Sequence, residues 1–160
     1  MEVNKKTVML PMEQLIGVVQ LQLKERGTAS LVVTGNSMWP LFRHMRDRVL
    51  LAPHKRCKKG DIVLYQRENG KFVLHRIVKT EEETSICCGD NQCEKEIIKN
   101  DWVLAVVTDF ERKGKLHSVT SCGYRLYKWV WMGLFPVRRG IFLLARGCSR
   151  LKNKILGGKK

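Results

Sequence analysis

Three short stretches of this chain set chemically capable side chains among apolar neighbours. They are Gly35-Asn36-Ser37-Met38, Val73-Leu74-His75-Arg76-Ile77-Val78 and Cys87-Cys88-Gly89-Asp90-Asn91-Gln92. A serine, a histidine and an aspartate are the parts of an acyl-transfer site. A serine hydroxyl attacks a carbonyl poorly until a neighbouring base takes its proton, and that base needs a third group to fix its tautomer. A bend presenting Ser37 would also free backbone N–H groups to receive an oxyanion. Taken singly, each residue has a plainer reading. Ser37 after Gly-Asn reads as a cap or turn residue, His75 between branched residues as a satisfied core histidine, and Gly89-Asp90-Asn91 as a turn.

These residues need elements to position them. Residues 11–26 read as a helix: Pro11 suits a first turn, Met12, Leu15, Ile16, Val19 and Leu23 share a face, and Gly27 is placed to end it. From residue 31 the pattern turns to short, β-branched runs at 31–34, 48–52, 61–66, 71–79, 102–110 and 115–120. Asn69-Gly70 predicts a hairpin joining 61–66 to 71–79. Several runs are apolar on both faces, which predicts a coiled, barrel-like sheet. The fold class expected is mainly β, α+β overall: an antiparallel sheet domain with an N-terminal helix and C-terminal basic helices. Residues 124–133 and 137–155 read as those helices, broken at Pro136.

The order of the boxes resembles the type I signal peptidase superfamily, which includes the self-cleaving domains of SOS and phage repressors. Ser37-Met38-Trp39-Pro40 matches its nucleophile box, and Lys59-Gly60-Asp61-Ile62-Val63 matches the strand box that follows. His75-Arg76-Ile77-Val78 stands where most bacterial members carry a lysine base, and so looks like the endoplasmic-reticulum and archaeal branch. Gly89-Asp90-Asn91 matches that branch's acidic segment, and Leu104-Ala105-Val106-Val107 a later strand. The resemblance covers about residues 31–108. It implies Ser37 as nucleophile, His75 as general base and Asp90 as the residue orienting it, with Glu96, six positions later, as a weaker second acid. It also implies a precursor or leader peptide bound as an extended strand, with main-chain pairing supplying affinity. The family usually carries a Ser or Thr hydroxyl two positions before the nucleophile; here that position is Gly35, leaving the Ser37 N–H, with Thr34 or Asn36 assisting. Gly35 is also what favours the alternative, a non-catalytic peptide-binding or regulatory module of the same fold.

Charge divides the chain. Its formal net charge is +15, yet the first 111 residues carry seventeen basic against fifteen acidic residues, and after Glu111 there are thirteen Lys or Arg and no acid. The expected organisation is therefore a peptidase domain over 1–120, with its core at 31–110, and a basic amphipathic helical tail over 121–160. Such a tail fits an anionic membrane surface and equally a helix packed on the sheet with a solvated basic face; nucleic acid is disfavoured because the tail is rich in aliphatic residues. No run of about 20 apolar residues exists, and Met1–Leu10 lacks the long apolar segment of a secretory signal. The expected location is cytoplasmic, or peripheral on the cytoplasmic membrane, with Cys57, Cys87, Cys88, Cys93, Cys122 and Cys148 as reduced thiols. The run from Cys87 to Cys93 has no C-x-x-C pair and no histidine at ligand spacing, so neither metal nor cofactor is expected.

Overall fold

A computed structural model describes residues 12–54, 56–138 and 140. Helix α1 (Met12–Arg26) is followed by β1 (Ala29–Val32), β2 (Arg48–Ala52), β3 (Ile62–Gln66), β4 (Phe72–Thr80), β5 (Thr84–Cys88), β6 (Glu96–Lys99), β7 (Val103–Arg112), β8 (Lys115–Ser118) and helix α2 (Cys122–Gly133). The strands form one curled antiparallel sheet in the order β1-β2-β7-β3-β4-β5-β6, with β8 pairing the far end of β7. Register shifts between Leu50 and Leu51, Leu64 and Tyr65, and Ile77 and Lys79 mark bulges, which bend strands and tighten sheet twist.

The double-sided apolar pattern has a direct cause. β3 lies between two packed clusters: Ile62 and Leu64 belong to one with Ile16, Val19, Leu31, Phe42 and Leu51, while Val63 and Tyr65 belong to another with Ile77, Cys87 and Ile98. The helix predicted over 11–26 is α1, which ends as Gly27 (φ +69°) donates its N–H to the Leu23 carbonyl. The predicted hairpin joins β3 to β4 through Glu68-Asn69-Gly70: Gly70 (φ +78°) donates to the Arg67 carbonyl, and the Arg67 N–H donates to Lys71. β5 and β6 are additions to the sequence reading; each is only four or five residues long, on either side of the Gly-Asp-Asn turn. Of the tail, α2 covers the helix expected at 124–133, with Ser121 capping it by accepting from the Tyr124 N–H. Beyond residue 140 the helix expected to 155 lies outside the described residues.

Candidate active site

Ser37 sits in the β1–β2 connection, which is built as a rigid bracket. Asp47 is fully buried at its base. Its carboxylate accepts from the Arg43 N–H at 2.8 Å and from the Arg46 guanidinium at 2.7 Å, while its main chain pairs with Val33. Met38, Leu41 and Phe42, from the same loop, are core residues, so the loop is anchored from below as well. Gly35 adopts φ +78°, a conformation that a side chain at this position disfavours, and its N–H is taken by Nδ1 of His44 at 2.9 Å. That is the local reason for the glycine where a hydroxyl residue was expected. Among the described residues neither the N–H nor the Oγ of Ser37 has a hydrogen-bond partner, whereas its carbonyl accepts from the Asn91 N–H at 2.7 Å.

His75 comes from the middle of β4. Together with Ser37 it lines a cleft of about 230 Å³, whose walls include Val33, Leu64, Leu74 and Gln92. The register that pairs His75 with Val63 sets Tyr65 two residues along on the same face. The Tyr65 hydroxyl donates to Glu96 at 2.9 Å and lies 3.2 Å from His75 Nδ1. A phenol has one proton, and the carboxylate takes that hydrogen bond, so the phenol oxygen accepts from Nδ1–H. Nε2 is then the nitrogen that keeps its lone pair, the form a general base requires. Glu96 is clamped in turn by Arg67, with Nε and Nη2 at 2.7 and 2.6 Å. Burial opposes the charge on Glu96, but the hydrogen bonds from Arg67 and Tyr65 outweigh it and hold the carboxyl below its ordinary value.

His75 is only 4% exposed. Burial pushes its imidazole down to about 4, with Glu96 and Asp90 opposing and Arg67 assisting. The folded chain therefore holds His75 neutral down to about pH 4, while the unfolded chain takes up that proton from about pH 6.5. The unfolded state binds more protons over that window, so stability contributed here falls as pH drops from about 6.5 to about 4 and is fully lost below.

Asp90, expected to orient His75, is engaged elsewhere. Its carboxylate is fully buried and makes a two-pronged pair with Arg76, Nε and Nη2 each at 2.8 Å, while Tyr127 donates to it at 3.2 Å. Among the described residues it has no hydrogen bond to His75. The reason is strand alternation: His75 and Arg76 are neighbours on β4 and project to opposite faces. Arg76 also donates to the Gly60 carbonyl and to the Tyr124 hydroxyl, both at 2.9 Å. Asp90 thereby fixes the turn that touches Ser37. A Cβ at Gly89 would stand 2.7 Å from the Ser37 carbonyl oxygen, so only glycine permits this approach. Arg138 grips the same turn from behind, donating to the Gly89 and Asp90 carbonyls at 3.3 and 3.2 Å between the rings of Trp131 and Phe135.

Thr34 lines the cleft beside Ser37. The Asn36 carbonyl is occupied by the Asn91 side-chain amide and the Trp39 N–H. Glu96 reaches His75 through Tyr65. Sequence reasoning did not single out Tyr65, Arg67, Asp47 or Arg138. Tyr65 reads as ordinary core in Ile62-Val63-Leu64-Tyr65, and the signal that was available is a phenol needing a partner on a buried strand. Among the described residues no group of three or more His, Cys, Asp or Glu could hold a metal ion.

Among the described residues the arrangement holds, at one cleft, an oriented, neutral imidazole and a serine whose hydroxyl and N–H are unpaired. A prediction separates the orienting chain from mere packing. Tyr65→Phe leaves Nδ1–H and Glu96 each short of a partner and frees the imidazole tautomer. For a site that uses His75 as its base, turnover should fall by roughly 10–100-fold, the equivalent of a lost buried hydrogen bond, with the acid limb of the pH profile displaced. An unmoved profile with unchanged turnover would show that the phenol only fills space.

The sequence profile of the family described as Peptidase S24-like matches residues 3–109, about two thirds of the chain. No curated protein matches it.

Proposed function

Because this chain belongs to the Peptidase S24-like family and has a serine-peptidase-type fold, we propose that it is a serine endopeptidase that cleaves a leader or precursor peptide. The observation that carries the proposal is the shared cleft: Ser37, with its hydroxyl and N–H unpaired among the described residues, and His75, with its Nδ1 proton tied to Tyr65. In this reading Nε2 of His75 takes the Ser37 proton as Oγ attacks the scissile carbonyl. The Ser37 N–H stabilises the oxyanion, and the same imidazole returns its proton to the leaving amine. Water then repeats the sequence on the acyl-enzyme. The Ser37 and His75 side chains are not hydrogen-bonded to each other here; such pairs commonly close up when substrate fills the cleft. Asp90 acts on the reaction by positioning the turn beside Ser37, and Glu96 acts through Tyr65. Branch membership with the His-using signal peptidases rests on His75 and the Gly89-Asp90-Asn91 turn.

The substrate's extended form has structural support. β1 ends the sheet and pairs only with β2 among the described strands, while Leu31, Val32, Val33 and Thr34 line the cleft along it. A peptide laid there adds a strand and points alternate side chains into the cleft.

The proposal is tested by acylation. A fluorophosphonate should label the chain once, at Ser37, found by mass spectrometry of the digested protein. Labelling and kcat/KM should both hold level across neutral pH and fall on acidification through about pH 4, where His75 gains its proton. Absence of labelling at Ser37 while the chain still binds peptide would instead make it a binding module. A fall centred near the ordinary histidine value would place the imidazole in solvent.

A further inference from the structure

Helix α2 is turned with its polar contacts inward and its apolar side out. Tyr124 and Tyr127 face the buried Arg76–Asp90 pair, and Trp131 stacks on Tyr127. On the opposite side Leu126 is 63% exposed, Trp129 73% and Val130 42%, and Val137 continues the stripe at 53%. A helix that merely covers a sheet shows its polar residues to water. This one shows a row of large apolar groups flanked by cations. Arg125, Lys58 and Lys59 are exposed around it, and Lys128 is half-buried. Between them runs a groove of about 660 Å³, with Trp129, Val130, Met132 and Leu134 forming its apolar side and Lys59 and Lys128 its cationic one.

We propose that this outward face of α2 is a docking surface for an anionic lipid bilayer. In the bound state α2 lies in the plane of the interface, with Leu126, Trp129 and Val130 at the acyl boundary. Arg125, Lys59 and Lys128 meet the headgroups. The chemistry of the face selects this occupant. Its sign complements anionic lipid: α2 carries no acidic residue, and residues 141–160 add six Lys or Arg and no acid. Its apolar groups are the kind that partition into the interface, with an aromatic among branched aliphatics. No helix among the described residues is long and apolar enough to cross a membrane, so the face meets lipid side-on. A second copy of the chain fits poorly, because each brings a formal charge of +15 to the contact. Nucleic acid would leave Leu126, Val130 and Val137 without partners.

The test uses the full chain and sedimentation with phosphatidylcholine vesicles, with and without phosphatidylglycerol, at low and high salt. The chain should partition onto the anionic vesicles and release as salt rises. Each neutralised basic residue of the face should weaken partitioning about fivefold. The double variant Leu126→Glu/Trp129→Glu should weaken it on the order of 100-fold. Both positions are exposed, so circular dichroism and melting should match the parent. Equal, salt-insensitive binding to neutral vesicles would overturn the proposal. So would a double variant that partitions like the parent, since the attachment would then lie elsewhere in the chain. Conversion of a lipid-free dimer to monomer by the double variant, seen in sedimentation velocity without any lipid binding, would assign the face to a second copy instead. None of these readings depends on Ser37 being a nucleophile.

Discussion

Replacing Ser37 by Ala should remove peptide cleavage almost completely, by on the order of 10⁶-fold in kcat, while leaving the unfolding curve unchanged. In the proposed mechanism the hydroxyl is the atom that forms the acyl bond, which is why the expected loss is large; what survives would come from strand pairing and the oxyanion donor alone. Stability is spared because Ser37 Oγ makes no hydrogen bond among the described residues, and the loop is held by other groups. Those groups are Asp47 with Arg43 and Arg46, and the core residues Met38, Leu41 and Phe42. The measurement is a pair: turnover of a cleavable peptide and urea denaturation of the same preparation. Retained turnover would remove Ser37 from the chemistry. The companion change His75→Lys sets a lysine at the base position; partial recovery over His75→Ala would fix that position as the base.

Asp90→Ala should do the reverse, destabilising the chain by about 3–5 kcal/mol. Arg76 and Asp90 are both essentially without solvent contact. Burial works against the Arg76 charge, and Asp90 more than offsets it, holding the guanidinium's proton above its ordinary affinity. Removing the carboxylate strands that cation in the interior without its counter-charge. Tyr127 loses an acceptor at the same stroke, so the inward face of α2 loosens with the turn. The double replacement Asp90→Ala/Arg76→Met should recover much of the loss, because a paired deletion leaves no orphaned charge. If single and double variants are equally unstable, the pair is not what the turn depends on. If Asp90→Ala stays as stable as the parent but loses turnover, Asp90 acts on His75 after all.

Much of this was legible in the sequence because it was local. The β3–β4 hairpin follows from Asn69-Gly70 between two branched runs, α1 from its apolar spacing, and the placement of Ser37 and His75 on one cleft from the order of their boxes. Glu96 was visible only as a position after Asp90. Its access to His75 depends on two successive strand pairings, Ile77 with Cys87 and Cys87 with Glu96, and on a tyrosine that periodicity reports merely as core. The pairing of Asp90 with Arg76 rather than with His75 was hidden for a related reason. Motif spacing gives the acid's place in the chain but not which side of β4 it faces. That side is settled by Arg76, whose charge cannot be buried without it.

The hairpin between β3 and β4 has a genetic consequence. His75 is delivered to the cleft, and Arg76 to the ion pair behind it, by counting residues from the Glu68-Asn69-Gly70 connection. Substitutions in that exposed connection should be forgiven, Gly70 excepted. A single-codon deletion or insertion there should not: sliding β4 by one place against β3 sets Leu74 or Arg76 in the place of His75 beside Tyr65 and turns His75 to the face of Asp90. Homologous chains should accordingly vary freely in the letters of this turn while keeping its length.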